Sequence, residues 1–456
     1  MEILSRIRGW SLVLLVAVSF GCHRTQPPTQ SSAPITGQAL VIKPTQSPTD
    51  GDSREPDLYA THDGRIILSW VEKIGDKRYA LRYAALAARE APEPSQIGTG
   101  QPQPTNGKAQ AGNAAGNSNS NTWSEPRTVA EGGDWFVNWA DFPSVIALKD
   151  GSFAAHWLVK SGTGTYAYNV NIARSNDGKT WSQPIVPHLD NTQTEHGFVS
   201  LVALPDGRAG AIWLDGRNMA DMKEQADEHA ASAQSMTLRY AAIDADGKLS
   251  QEAQLDERVC ECCQTSAVLT DEGVVAVYRD RSETEVRDIS VVRQSKSAWE
   301  TPTPLHNDNW TINGCPVNGP SIATAGQRVA VAWYTEAGEQ PHVKIAFSDN
   351  AGASFGSALQ VDDGEAIGRV DVVLLQDGSA LVCWMSGTAE GGSIKTRRVR
   401  QDGAVGPVSE IAKTDISRSS GFPRMARLGN EVHFAWTEFG TPSRVRTAAT
   451  DVSAYK

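Results

Sequence analysis

SLVALPDGRAGAIW, residues Ser200–Trp213, reads as a β-hairpin: an apolar run, a Pro-Asp-Gly turn, and a second apolar run ending in tryptophan. Glycine accepts the positive φ that such a tight turn requires. The phrase recurs at Asp57–Trp70, Pro143–Trp157, Ser266–Tyr278, Gly319–Trp333, Val370–Trp384 and Pro423–Trp436, each time around a glycine-bearing turn. The closing aromatics of the seven copies lie 87, 56, 65, 55, 51 and 52 residues apart. A hairpin repeated at a period of about fifty residues marks a β-propeller, each repeat being one blade. The chain therefore reads as all-β, with seven four-stranded antiparallel blades.

A third strand follows every hairpin, as at Asn169–Ala173 and Val343–Phe347, and a fourth follows six of them, as at Trp123–Pro126, Trp181–Pro184 and Trp299–Pro302. The seventh repeat reaches Lys456 before making one. The spare apolar segment Ala39–Ile42 is expected to fill that place, closing the ring and removing an open sheet edge.

Residues 1–22 read as an export signal: Arg6 and Arg8, the apolar run Trp10–Phe20, then Gly21-Cys22. The run is short for a membrane span. Residues 23–36, rich in Pro, Gln, Thr and Ser, read as a flexible tether, and 37–456 as one propeller domain. Residues 91–121, dense in Gly, Asn, Gln, Pro and Ala, read as a disordered insertion in the first blade, which accounts for the 87-residue interval. A net charge of −11 argues against a nucleic-acid partner. No phosphate-binding glycine loop is present, no cofactor is expected, and a monomer is expected.

Ser175-Asn-Asp-Gly-Lys-Thr-Trp181 resembles the Asp-box of sialidases and related propellers, S-x-D-x-G-x-T-W, in a form one residue short. Ser348–Phe355 has full length with Asn350 in the aspartate position, and Thr122-Trp123-Ser124 looks like the tail of a third. The motif is a folding device whose polar side chains bond turn amides. The resemblance to the sialidase-like superfamily spans nearly the whole chain after the tether. It also supplies the alternative of six blades, the number sialidases have. Ending the leader at Gly21-Cys22 resembles a bacterial lipoprotein, which implies lipidation of Cys22 and an exported protein held by a lipid anchor, at the outer membrane or in the periplasm.

Propellers bind ligands where the loops leading into the innermost strands converge, and here those loops carry polar, charged and thiol groups. Asp141, Glu195 and His196 lie on them and are expected to contact substrate. Sialidases hold the sugar carboxylate with arginines, whose planar fork pairs with it bidentately. Arg54-Glu55-Pro56 resembles the family's Arg-Ile-Pro, which points to Arg54. Arg369 and Arg424 are the second and third candidates by channel position, with Arg217, Arg279 and Arg281 competing. Asp76 stands roughly where the family's acid/base lies. The family's nucleophilic tyrosine opens the innermost strand of the last blade, but Phe422 occupies that place; Tyr334 with Glu336, or Tyr278, are replacements.

Cys260 and Cys315 hold the same offset in adjacent blades, so a disulfide between them is expected in an oxidising compartment. Cys262 and Cys263, adjacent in sequence, remain thiols or form a vicinal bridge; alternatively, with Glu195 and His196 one blade away, the group binds a soft metal such as copper or zinc, although no tetrahedral ligand spacing identifies it. Three functions remain in view: a glycoside hydrolase acting on acidic terminal sugars such as sialic acid, a non-catalytic propeller recognising glycan or protein at the cell envelope, and a thiol- or metal-dependent envelope protein.

Overall fold

A computed structural model describes residues 38–87, 122–220 and 235–455. Seven antiparallel sheets radiate from one axis, and their innermost strands are Asp52–Ala60, Ser144–Ala147, His196–Ala203, Ser266–Leu269, Ser321–Ala325, Ala366–Leu374 and Arg424–Leu428. The opening hairpin forms blade 3, with His196–Ala203 antiparallel to Ala209–Asp215 and Gly207 at φ 81° in its turn. The seven-blade count holds, and the sixfold alternative does not.

Several strand expectations shift: the fourth strand of blade 1 is Arg127–Gly132, just after the expected Trp123–Pro126, and blade 4 has the short strands Ala298–Trp299 and Thr303–Pro304 in place of a continuous Trp299–Pro302. Residues Trp181–Pro184 form no ladder strand: blade 2 has three strands, and the nearby Ile185 makes only an isolated bridge to Ile172. The closing strand is Lys43–Thr45, just after the expected Ala39–Ile42, and it pairs antiparallel with Thr447–Ala449 of blade 7. Leu40 and Ile42 instead pack against the core shared by blades 6 and 7. Deleting residues 38–45 is expected to lower the unfolding temperature and promote association, because it bares the outer edge of blade 7. Scanning calorimetry and light scattering would check this.

The closing aromatics explain the repeat. Trp70, Trp213, Trp333 and Trp384 are fully buried, and each packs against the blade before its own; Trp333, for example, sits against Val275 and Val277 of blade 4. Each such side chain is worth about 3–5 kcal/mol on truncation to alanine. Seven apolar clusters, one per blade interface, therefore hold the ring.

Both Asp-box turns form. Asp177 Oδ1 accepts from the Lys179 and Thr180 amides at 2.8 Å each, while Ser175 Oγ accepts from Gly178 N at 2.9 Å. In the second turn Asn350 Oδ1 accepts from Ser354 N at 3.0 Å and Ser348 Oγ from Gly352 N at 3.0 Å. These turns follow the third strands of blades 2 and 5, at the end opposite the loops that lead into the innermost strands.

Those loops share a device. Glu55, Phe198, Val317 and Arg369 all have φ between 50° and 54°, and Gly421 has φ 63°, so five innermost strands carry a left-handed residue in their first half or a few residues before it. Such a conformation strains any residue with a Cβ and must be held by its surroundings. A neighbouring blade does the holding in three cases: Asp141 Oδ1 accepts from Phe198 N at 2.7 Å, Asn318 Oδ1 from Arg369 N at 2.7 Å, and Thr437 Oγ1 from Glu55 N at 3.1 Å.

Candidate functional site

The innermost strands enclose an axial cavity of about 450 Å³, running from Phe142 and Phe422 at one end to Lys149 and Arg427 at the other. Its upper end is plugged. Trp139 stacks on Phe422 at 5.9 Å, Phe142 tilts onto the same ring, and the Arg369 guanidinium lies 4.6 Å over Trp139. Phe422 is thus a packing residue at the centre of the upper face. A ligand on that face meets the loops around the plug and not an open channel.

The three arginines do not share a pocket. Arg54 pairs with Asp52 at 2.7 Å. Arg369 is buried, donating to the Ser417 and Gly421 carbonyls at 2.9 and 3.0 Å, and burial beside Arg418 pulls its pKa down to about 10. Only Arg424 lines the axial cavity, 3.0 Å from Asp57 and 3.8 Å from Asp371. Asp76 lies exposed in the turn between Arg65–Gly75 and Arg78–Ala87. Tyr334 is buried edge-on to Trp310 at 5.6 Å and is hydrogen-bonded to the exposed Glu336, so this pair does meet. Tyr278 is fully buried on Asp256.

Asp141 and Glu195 converge on a residue the sequence did not mark. Tyr168 Oη lies 3.0 Å from Asp141 Oδ2 and 2.7 Å from Glu195 Oε1. Burial lifts the Asp141 pKa to about 7 and the Glu195 pKa to about 8, the latter raised further by Asp141 and Glu261. Both carboxyls therefore hold protons near neutrality, where ordinary ones do not. Glu55, also buried near Asp141, is pushed up by the same desolvation. Asp141 and Tyr168 are closed off, whereas Glu195 is a partly exposed residue whose carboxyl is held against Tyr168. Phe136 stacks on Tyr168 at 3.9 Å and meets Tyr166 edge-on, and Tyr166 is 58% exposed.

His196, expected to touch substrate, is fully buried beneath this group. Its ring stacks on His188 at 3.7 Å, and its Nε2 faces Asp190 Oδ2 at 3.2 Å and Asp215 Oδ1 at 3.7 Å. Arg217 clamps Asp215 through two bonds of 2.7 Å and reaches Asp190 at 3.3 Å. This set ties Asp190 to the end of the second strand of blade 3, and it also has the donor types of a His-Asp-His metal site.

One blade on, Arg281 and Arg287 both bond Glu261 and Glu285. The five described cysteines are free: Cys260 turns inward toward Cys263 and Cys262, while Cys315 is exposed and meets Cys262. The expected Cys260–Cys315 bond is not made: Cys260 is buried against Cys263, while Cys315 is exposed and meets Cys262. Cys22 lies outside the described residues.

Seven radial sheets, the closing strand and two Asp-box turns define a seven-bladed β-propeller fold. No family model matches the sequence, and no curated protein matches it. Among solved structures the chain is similar to a protein of unknown function from Dyadobacter fermentans DSM 18053, at 16% identity over 68% of this chain and 94% of that one, with a TM-score of 0.48. It is also similar to the Hadza microbial sialidase Hz136 (12% identity, 68% of this chain and 65% of that one, TM-score 0.44). A third is the Penicillium chrysogenum alpha-L-arabinanase complexed with arabinobiose (14%, 70% and 95%, 0.44). At such identities and TM-scores the chemistry rests on this chain's own side chains.

Proposed function

We propose that this chain is an exported, lipid-anchored propeller that hydrolyses glycosidic bonds, with Glu195 as the general acid. The observation that carries this reading is the Glu195–Tyr168–Asp141 group, in which burial keeps the carboxyl of a partly exposed residue protonated up to about pH 8. Cleaving a glycosidic bond needs an acid to protonate the leaving oxygen and a second carboxylate beside it, with the two roles separated by environment. Glu261, bonded by Arg281 and Arg287 and close enough to raise the Glu195 pKa, is the carboxylate that faces the developing positive charge. Tyr166 supplies a stacking surface for a sugar ring.

Sialic acid is one candidate sugar, but Arg54, Arg369 and Arg424 are each engaged elsewhere. Neutral glycans therefore suit this acid-rich face better than carboxylated ones. A panel of fluorogenic aryl glycosides, including sialosides and arabinosides, tests the reading. Turnover lost in Glu195→Gln supports it; glycan retention with no turnover by the wild type leaves the non-catalytic reading in its place. Loss of metabolic palmitate label in Cys22→Ser tests the anchor.

A further inference from the structure

We propose that Cys260, Cys262, Cys263 and Cys315 form a binding site for one thiophilic cation, Zn2+ or Cu+, on the upper face of blade 4. Cys260 Sγ lies 3.5 Å from Cys263 Sγ and 4.0 Å from Cys262 Sγ, and the three sulfurs all fall within 4.8 Å of one another. Four thiolates at about 2.3 Å from a tetrahedral ion sit about 3.8 Å apart, the spacing that these distances bracket. A disulfide would instead bring one pair to about 2.05 Å and leave the third sulfur without a partner. The fourth ligand comes from the next blade: Cys315, exposed, contacts Cys262 and gives an ion a route from solvent to the buried three.

The surroundings favour anionic sulfur. Arg287 Nη1 donates to Cys260 Sγ at 3.3 Å. Arg279, 1% exposed, spends its donors on the carbonyls of Arg287, Asn318 and Tyr334 and lies over Trp310. At this corner three guanidinium groups, those of Arg279, Arg281 and Arg287, face two carboxylates, Glu261 and Glu285. One positive charge is left over. Four thiolates around Zn2+ carry two net negative charges and around Cu+ three, so the divalent ion leaves the smaller excess over that charge. Each ligating thiol releases its proton to solvent on binding. The ion would also tie the loop leading into blade 5 to the turn of blade 4.

The test uses the full-length chain, purified under reducing conditions, stripped with a chelator, and titrated with Zn2+ against a chromophoric chelator and, separately, with Cu+ against bicinchoninate. About one equivalent per chain is expected to bind, with the two arms ranking the ions. Cys260→Ser and Cys263→Ser should abolish binding, and Cys383→Ser, in the middle of blade 6, should leave it intact. Should the buried variants fail to fold, the exposed Cys315→Ser still decides, with an expected loss of affinity of about tenfold or more. Absence of binding by the wild type, binding unchanged in Cys315→Ser and Cys260→Ser, or a Cys260–Cys263 disulfide found by peptide mapping overturns the proposal. Glu195→Gln should bind metal as the wild type does, so this site and the glycosidase reading fail separately.

Discussion

Glu195→Gln is expected to lower kcat on any cleaved glycoside about 10²–10⁴-fold, the range for removing a positioned acid, with little change in KM. Glutamine keeps the size and the hydrogen bond from Tyr168 but carries no proton to transfer. In the wild type the acid should fail as pH rises through about 8, where Glu195 ionises, so kcat should fall above that point. The same shift makes a stability claim. Between about pH 4 and pH 8 the unfolded chain has already lost the protons of Glu195 and Asp141 while the folded chain keeps them. The folded state then binds more protons, so unfolding free energy declines across that window as pH rises. Urea melts of the wild type should show the decline, and Glu195→Gln should flatten its upper part. A wild-type slope of the opposite sign would remove the basis for the assignment.

Arg424→Met is expected to destabilise the propeller by about 3 kcal/mol, measured by urea unfolding. Methionine matches the stem's volume but leaves Asp57 and Asp371 facing one another across the axial cavity. Asp371 retains the Ser321 hydroxyl at 2.6 Å and the Met425 amide at 2.7 Å, whereas Asp57, whose pKa burial already raises, loses the charge that opposed that rise. The added Asp57→Asn change should recover part of the loss, since it removes the unpaired charge. Were Arg424 instead poised for a ligand carboxylate, its replacement would cost affinity and little stability.

The blades were legible because each is built from neighbours in sequence. Asp206-Gly207 and its six counterparts mark turns, and a closing aromatic marks where each hairpin meets the preceding blade. The closing strand was legible to within a few residues. Two features were not. The Trp181–Pro184 segment has strand-like composition but makes no ladder. The roles of Arg369 and His196 were also hidden: a channel-facing position in the repeat says nothing of the left-handed φ that turns Arg369 onto Trp139, or of the Asp190 and Asp215 carboxylates that enclose His196.

Asp141 and Glu195 are legible as site residues from their places on the entry loops, but the group that joins them is not. Tyr168 lies 27 residues from each and carries no local signal beyond a place at the start of a third strand. The thiols show the same division. C-x-C-C is visible in the chain, but which sulfurs meet depends on Arg287 and on the direction of Cys315 from the next blade.

From its residues alone this chain determined its repeat, its ring and its turns, because those depend on φ preferences and on apolar periods within a few dozen positions. Which carboxyl keeps its proton, which arginine is occupied and which thiols gather were decided only in three dimensions. Desolvation and pairing are set by whatever neighbouring blades bring alongside, and that neighbourhood has no spacing along the chain.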